Sequence, residues 1–352
     1  MSKRSVTIVD IAEAAGVSIA TVSNVLNRRN VPMSEETIRK VEDTAKQLGY
    51  RRNVMAANLS RQKSYELGLI VPSFTGYYGQ FAEEMERKAN EHGYHMSVFS
   101  AGGMKPEMEK RHLEMLLSRR VDGLFCHGLA MSHESTRAVV SDGTPLVLFN
   151  GWGWPADIAL AAVNLDFAGG SLEAVRHLVQ QGCQSLVYVG RSKALEVNGQ
   201  RLAGFKKGVE QYGGDLPVML LDITDCAADR IVDEVIRSSL HETQPIGILV
   251  FDDYAALSVM SAALKRGLRV PDQVKISGIN NDPLSTACYP ALTTLDIAYD
   301  LQADIAIGKM LERLEEKPFH MPDASMDTGG QEIHIPMKLI QRESSGANVP
   351  TL

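Results

Sequence analysis

Two short helical segments separated by only two residues constrain this 352-residue chain more than any other feature. From Thr7 to Ala15, the residues Ile8, Ile11, Ala12 and Ala15 fall on one face at helical spacing. From Ser18 to Leu26, Val22, Val25 and Leu26 do the same. The chain must reverse within Gly16–Val17, and Gly16 supplies the positive φ that such a stop needs. Thr7 and Asp10 stand three apart, as in a capping box, and Ser18 is a second N-cap candidate. This spacing predicts a helix-turn-helix. A third helix should follow, capped by Ser34, with Glu35 and Glu36 in the first turn where the helix dipole favours acids, and Gly49 after its end. The outer face of the second segment carries Ile19, Ala20, Thr21, Ser23, Asn24 and Asn27. These short groups suit the base edges and phosphates of a major groove.

A small helical subdomain with no nucleic acid partner would satisfy the same spacing, and charge favours the other reading. Residues 1–64 hold 11 Lys and Arg against 6 Asp and Glu, whereas the remaining 288 hold 25 against 37. A basic head on an acidic body is the footprint of a chain that meets phosphate at one end. The N-terminus lacks the apolar core and small-residue cleavage site of a secretory signal, and no run of about 18 apolar residues offers a membrane span. Cys126, Cys183, Cys226 and Cys288 are far apart with no C-x-x-C pair, and the nine histidines show no metal-ligand spacing. Buried reduced thiols in a cytoplasmic protein, without metal or cofactor, are the expectation.

From Glu66 onward, short apolar runs alternate with helical stretches. The runs are 67–71, 96–99, 123–126, 146–149, 186–189, 246–251 and 275–279; between them lie helical segments at 78–92, 107–119, 168–180, 199–211, 226–239 and 254–265. This alternation predicts α/β architecture with parallel sheets covered by helices on both faces. So many strands exceed one ordinary sheet, so two similar lobes are expected, with ligands binding at strand carboxyl ends in the cleft between them. The connecting stretch from Tyr50 to Ser60 has fair helix propensity but is too short to be stable alone. It is either a plain linker or a segment ordered by DNA or by a second copy of itself.

The order of parts resembles the LacI/GalR family of bacterial transcription repressors. The most specific stretch, Val6 to Asn27, follows the family pattern T-I-x-D-V-A-x-x-A-G-V-S-x-x-T-V-S-x-V-L-N. Further matches are Ser34 to Thr37, Leu48 to Tyr50, Gly68 to Pro72, Val121 to Leu124, Arg201 to Phe205 and Pro290 to Thr294. The resemblance implies a helix-turn-helix headpiece over 1–52, a hinge over 53–60 and a two-lobed, periplasmic-binding-protein-like body over 61–343. Lobe 1 would span about 66–163 and 297–325, lobe 2 about 164–296 and 326–343, and residues 344–352 would be a disordered tail. It implies base reading by Ile19, Ala20 and Asn24, and phosphate contact by Thr7, Ser18, Thr21, Ser23, Asn27 and Tyr50. Capping alone would account for Thr7 and Ser18. Asn53, Ala56 and Leu59 match the minor-groove hinge helix, with Leu59 as the wedge, which implies a homodimer on a pseudo-palindromic operator. Two departures stand out: Arg52 where the family usually has Pro, and Asn58 where it often has Arg. The C-terminal stretch lacks the leucine heptads of the tetrameric members, so a dimer is expected.

By the same resemblance, Tyr77, Tyr78, Asn164, Arg201, Asp252, Asp253 and Asn280 match effector-pocket positions, and Trp152 joins them as half of an aromatic pair with Trp154. Rings can stack on a sugar face, and the arginine's forked donors can hold hydroxyls or a carboxylate. Helix capping ahead of 254–265 is the competing role for Asp252 and Asp253; packing on its own domain is that for Trp152. Asn164 and Asn280 stand where many relatives have Asp, which shifts the pocket toward a less polyhydroxylated or more anionic ligand. The expected effector is a sugar or sugar derivative, and the expected function is operator binding controlled by it. A protein co-repressor is the alternative signal. A cytoplasmic sugar-binding protein or an enzyme carrying a DNA-binding head is more remote, because no G-x-S-x-G, P-loop or G-x-G-x-x-G turn is present.

Asn pairs bidentately with adenine N6 and N7. Replacing Asn24 by Ala should therefore cost about 1–3 kcal/mol of operator affinity and relax preference at one base pair per half-site. Binding titrations on operators varied at each position check this; equal weakening on every sequence would make Asn24 a backbone contact.

Overall fold

The computed structural model describes residues 6–26, 31–50, 63–238, 245–322, 326–327 and 331–346. The chain divides into two compact units, Met1–Ser64 and Tyr65–Leu352.

In the first unit, helices α1 (Ile8–Ala15), α2 (Ile19–Leu26) and α3 (Glu35–Gln47) pack around Ile11, Ala12, Ala15, Val22, Val25, Val41 and Ala45. The capping box is formed: the Thr7 amide donates to Asp10 Oδ2 at 2.7 Å, and the Asp10 amide donates back to Thr7 Oγ1 at 3.5 Å. Gly16 ends α1 at φ 63°. Ser18 Oγ accepts from the Thr21 amide at 3.0 Å, and Ser34 caps α3 through the Thr37 amide at 3.2 Å. The α1 and α2 axes bend by 111° at the turn, within the range of a helix-turn-helix. Tyr50 is half-buried against this small core. Asn27, Asn53, Ala56 and Leu59 lie outside the described residues.

The second unit begins with β1 (Glu66–Val71), α4 (Tyr77–Glu91), β2 (His95–Ser100), α5 (Pro106–Ser118), β3 (Gly123–His127), α6 (His133–Val139), β4 (Leu146–Phe149) and β5 (Ala161–Leu165). The chain then crosses to a second lobe. There follow α7 (Phe167–Gln180), β6 (Ser185–Gly190), α8 (Leu195–Gly208), β7 (Val218–Asp222), α9 (Ala228–Arg237), β8 (Ile246–Val250), α10 (Asp253–Lys265), β9 (Val274–Asn280), α11 (Leu284–Ala287) and β10 (Thr293–Asp296). Helix α12 (Tyr299–Glu315) returns to pack on α4 and β5. Three short strands finish the chain: β11 (Met326–Asp327), β12 (Glu332–Ile335) and β13 (Lys338–Ile340).

One sheet has the order β11-β12-β5-β4-β3-β1-β2 and the other β13-β10-β9-β8-β6-β7. All pairings are parallel except β11 with β12 and β10 with β13. Central strands such as β3, β4 and β8 are buried along their whole length, because helices cover both faces; this is why they read as unbroken apolar runs. The sequence missed β5, β7, β10, β11, β12 and β13: β7, β11 and β13 lie at sheet edges, β10 and β12 are short and partly polar, and β5 (AAVNL) is rich in alanine, a weak strand former.

Two sequence expectations need correction. Strand β12 pairs with β5 in register Ile333 to Val163, so the last crossing falls at Pro336–Met337, not at 326. The tail does not begin at 344: Glu343–Ser345 forms a 3-10 turn in which Ser344 and Ser345 are fully buried. Ser344 Oγ donates to the Ile276 carbonyl at 2.6 Å and accepts from the Thr293 amide at 2.9 Å. These bonds satisfy backbone groups of the second sheet that would otherwise be buried unpaired. Residues 347–352 lie outside the described residues.

Helices α7 and α8 pack with very close backbones at Gly204, where a Cβ would overlap the Ala168 carbonyl. Gly204 lies three residues after Arg201 and so on the same face of α8. The close approach thereby brings Arg201 onto the Phe167 ring, 4.3 Å from its centroid. A Gly-to-Ala change in a helix ordinarily gains up to about 1 kcal/mol in propensity, whereas overpacking costs about 1–3 kcal/mol. Here the obstacle is backbone that cannot rotate away, so the cost dominates. Gly204→Ala should lower the urea midpoint of the second unit, followed by far-ultraviolet circular dichroism.

Candidate functional site

In the first unit, the residues expected to read bases lie on α2. Ile19 and Ala20 are exposed and Asn24 is half-buried beside them. Ser18 and Thr21 are engaged with each other, their hydroxyl oxygens 2.8 Å apart. Ile19 is 47% exposed although it is a large apolar side chain; Val22 and Val25 are the residues of α2 buried in the core it shares with α1 and α3.

In the second unit a cavity of about 480 Å³ opens between the two lobes, a size suited to a small organic ligand. Its walls are the carboxyl ends of strands from both sheets. Ser73 follows β1, His127 ends β3, Asn150 follows β4 and Leu165 ends β5; across from them, Arg191 follows β6, Phe251 and Asp252 follow β8, and Asn280 ends β9. Asn150 and Asn280 have φ of 53° and 121°, conformations that asparagine tolerates better than most residues. The first turns of α4, α7, α8 and α10 also point at the cavity through Tyr77, Phe167, Val197 and Asp252 with Tyr254. Tyr254 closes one edge, since a Cβ on Gly76 would stand 2.9 Å from its ring.

On the first-lobe side, Tyr77 is held rigidly. Its hydroxyl lies 2.5 Å from His127 Nε2 and 3.4 Å from Gln302 Oε1, and its ring stacks on Tyr299 at 5.4 Å. Tyr78 meets Tyr77 edge-on at 4.9 Å. Burial raises the Tyr78 phenol above its ordinary range, against a smaller opposing pull from Arg201. His127 is 6% exposed, and burial pushes its pKa down to about 3, so the ring is neutral at physiological pH.

On the second-lobe side, the Arg201 guanidinium sits between the rings of Phe167 and Phe251, 4.3 and 4.2 Å from their centroids, and donates to the Phe251 carbonyl. It is 4% exposed, and burial lowers its pKa to about 10. Arg191 Nη2 donates to Asp252 Oδ2 at 3.3 Å. Asp252 Oδ1 accepts from the Ala255 amide at 2.7 Å, so this carboxylate caps α10 while it faces the cavity.

Of the eight effector positions read from the sequence, Tyr77, Tyr78, Arg201, Asp252 and Asn280 line the cavity. Asn164, Asp253 and Trp152 do not. Asn164 is buried, accepting from the Gly151 amide at 2.9 Å and donating to Glu332 at 3.1 Å; it pins the loop after β4. Asp253, the first residue of α10, is buried away from the cavity, where it accepts from Thr294 Oγ1 at 2.6 Å and the Asp282 amide at 2.7 Å, and burial raises its pKa to about 6. Trp152 is half-buried and packs against the core near Phe167, ring centroids 6.2 Å apart, and Trp154 packs on His133 at 4.5 Å. Sequence reasoning missed His127, Arg191, Phe167, Phe251 and Tyr254. The polar residue just past the end of an apolar run is the signal that could have found His127 and Arg191, because each stands at a strand's carboxyl end.

A family profile described as "Bacterial regulatory proteins, lacI family" matches residues 7–53, and one described as "Periplasmic binding protein-like domain" matches residues 175–345. Catabolite control protein A of Staphylococcus aureus strain Mu50 is 31% identical over 329 residues, covering 90% of this chain and 97% of the relative. The chain belongs to the lacI family. Catabolite control protein A of Staphylococcus xylosus is also 31% identical, over 323 residues, with coverage of 91% and 95%. The fold matches the lac repressor dimer solved with operator and the anti-inducer ONPF, with a TM-score of 0.82 at 24% identity, covering 98% of this chain and 100% of that one. It also matches a periplasmic binding protein/LacI regulator of Alkaliphilus metalliredigens complexed with D-xylulofuranose, at TM-score 0.65, 24% identity and coverage of 80% and 98%. This lacI-family protein is therefore a DNA-binding transcriptional regulator, with a helix-turn-helix unit and a two-lobed α/β effector-type unit. Among its described residues no single helix is long and apolar enough to cross a membrane.

The buried titratable groups give the regulator's second unit a definite pH response. His127 has a folded pKa of about 3, below its ordinary 6.5, so the unfolded chain takes up the proton first. Stability is lost as pH falls through 6.5 and continues to fall toward 3. Asp253 acts oppositely: its folded pKa of about 6 exceeds its ordinary 3.8, so its contribution is present below 3.8 and lost as pH rises through about 6. Changing His127 to Gln should flatten the decline in melting temperature between pH 6.5 and 5, measured by thermal unfolding at constant ionic strength.

Proposed function

We propose that this regulator is a repressor whose operator affinity is set by a small molecule, a sugar or sugar derivative, bound in the cleft between the lobes. The observation that supports this most directly is the cleft itself: strand ends from two sheets bring aromatic rings, two guanidiniums and one carboxylate to a cavity of about 480 Å³. Tyr77, Tyr78, Arg201, Asp252 and Asn280 would contact the effector, with Arg191, His127 and Phe251 beside them. A ligand that prefers one arrangement of the lobes shifts the population of DNA-competent molecules by its differential affinity. On DNA, Ile19, Ala20 and Asn24 would read base edges, and Thr7, Ser18, Thr21, Ser23 and Tyr50 would meet phosphates. Asn27, Asn53, Ala56 and Leu59 would complete the contact on a pseudo-palindromic operator bound by a homodimer. The solved relatives include a repressor dimer on its operator and regulators with bound xylulofuranose and cellobiose, which supports the same partners here. We place the protein in the bacterial cytoplasm, at the nucleoid, and assign it no turnover.

The test joins two titrations. A true effector at about 100 times its Kd should add roughly 2.7 kcal/mol to the stability of the second unit and change operator affinity in fluorescence anisotropy. Arg201→Ala should lose both responses yet bind operator without ligand. If no small molecule alters either signal, the regulating partner is a protein.

A further inference from the structure

The charges in the cleft do not balance, and the imbalance carries information about the effector. The ionised side chains on its wall are Arg191, Arg201 and Asp252. Asp252 is already paired with Arg191 at 3.3 Å. Arg201 is 4% exposed and, among the described residues, no carboxylate forms an ion pair with it. Its Nη1 is taken up by the Phe251 carbonyl, while its Nε is buried without a partner. The Nε of Arg191 is also buried without a partner. A buried cation without a counter-charge is costly, and an arginine cannot relieve that cost by deprotonating near neutral pH.

The other groups facing this point do not supply the missing charge. His127 is neutral, and Tyr78 and Tyr254 are phenols held protonated. Asp253 and Asp282, behind the wall, are buried, and each accepts bonds from its own donors: Thr294 and the Asp282 amide for Asp253, the Leu284 amide for Asp282. Two helices add positive ends. Gly76 at the start of α4 and Ala194 at the start of α8 both line the cavity, and neither provides a side-chain cap. The Gly79 amide donates to the Gly76 carbonyl at 3.1 Å, and no cap side chain takes the remaining first-turn amides, in the arrangement that binds anions at helix N-termini.

We infer that the effector carries an anionic group, a carboxylate or a phosphate, seated between Arg191 and Arg201 against the second-lobe wall. This rests on the small-molecule reading above. Forked guanidinium donors suit both groups. The acid competes with Asp252 for Arg191, so binding exchanges an internal ion pair for one with the ligand and gives Arg201 its first counter-charge. The uncharged part of the effector lies toward Tyr78 and Tyr77, across the cleft.

Thermal unfolding and calorimetry on the full chain test this with matched sets: aldonates, uronates and phosphates of the common pentoses and hexoses, each beside its neutral parent sugar, and inorganic phosphate alone. The expected result is binding of an acid whose neutral parent does not bind. Arg191→Gln should weaken that acid about tenfold or more, the usual cost of a hydrogen bond to a charged group. Asp252→Asn keeps an efficient helix cap and should hold or raise the acid's affinity, whereas a neutral polyol relying on that carboxylate would be weakened. Response confined to carboxylates or to phosphates decides the source of the charge. Equal binding of the neutral parent, or an acid indifferent to Arg191→Gln with the variant's melting curve unchanged, overturns the inference and leaves the small-molecule reading standing. Silence across the whole panel overturns both.

Discussion

A parallel sheet buried on both faces leaves itself one open rim, and the second unit depends on that constraint. Helices occupy the faces, because the central strands are apolar on both sides and must be covered to gain the burial energy that holds each lobe together. What remains uncovered is the line of strand carboxyl ends, where chain emerges as loops and helix starts. Here the two rims face one another. Side chains far apart in sequence, from Ser73 to Asn280, thus share one cavity without any motif joining them. The three crossings between lobes, after Leu165, Asp296 and Ile335, link the two sheets, and β12 completes a sheet begun more than 250 residues earlier in the chain.

Within that frame, two kinds of polar residue sit near the cleft, and burial with hydrogen bonding separates them. Asn164, Glu332 and Asp253 have their polar atoms engaged by neighbouring donors and acceptors; they hold loops and helix starts in place. Arg201 and Arg191 instead retain a buried nitrogen without a partner. Stacking between Phe167 and Phe251 fixes the Arg201 plane without neutralising its charge, and cation–π attraction recovers only part of what solvation would give. The Arg201 side chain is thus already oriented by its neighbours, and ordering a side chain is one of the costs of binding that such orientation removes.

Asp252 joins the two roles. Its Oδ1 caps α10 and its Oδ2 pairs with Arg191 in the cleft, so capping the helix does not take this residue away from the cavity wall. The same carboxylate that starts a helix also pairs with a guanidinium on the cavity wall. Tyr77 shows a related economy: its hydroxyl is tied to His127 and Gln302, elements from β3 and α12, which makes it a brace of the first lobe as much as a wall of the cavity.

The sequence by itself determined what depends on neighbours along the chain. The helix-turn-helix, its caps at Thr7, Ser18 and Ser34, the Gly16 stop, the alternation of strand and helix, and the family membership were all legible, because capping and periodicity are local. Through the family resemblance it also marked Tyr77, Tyr78, Arg201, Asp252 and Asn280. Only the tertiary structure decided which polar residues face the cleft and which are consumed by hydrogen bonds. Asn164, Asp253 and Trp152 look equivalent to the others in sequence, and pairing partners as distant as Glu332 and Thr294 draw the two polar ones away. It alone supplied the strands whose residues are polar or few, such as Thr293–Asp296 and Glu332–Ile335, since these are stabilised by the strands they pair with. The final turn at Ser344 and Ser345 is ordered for the same reason: its partners lie about 50 residues away, beyond the reach of any local pattern.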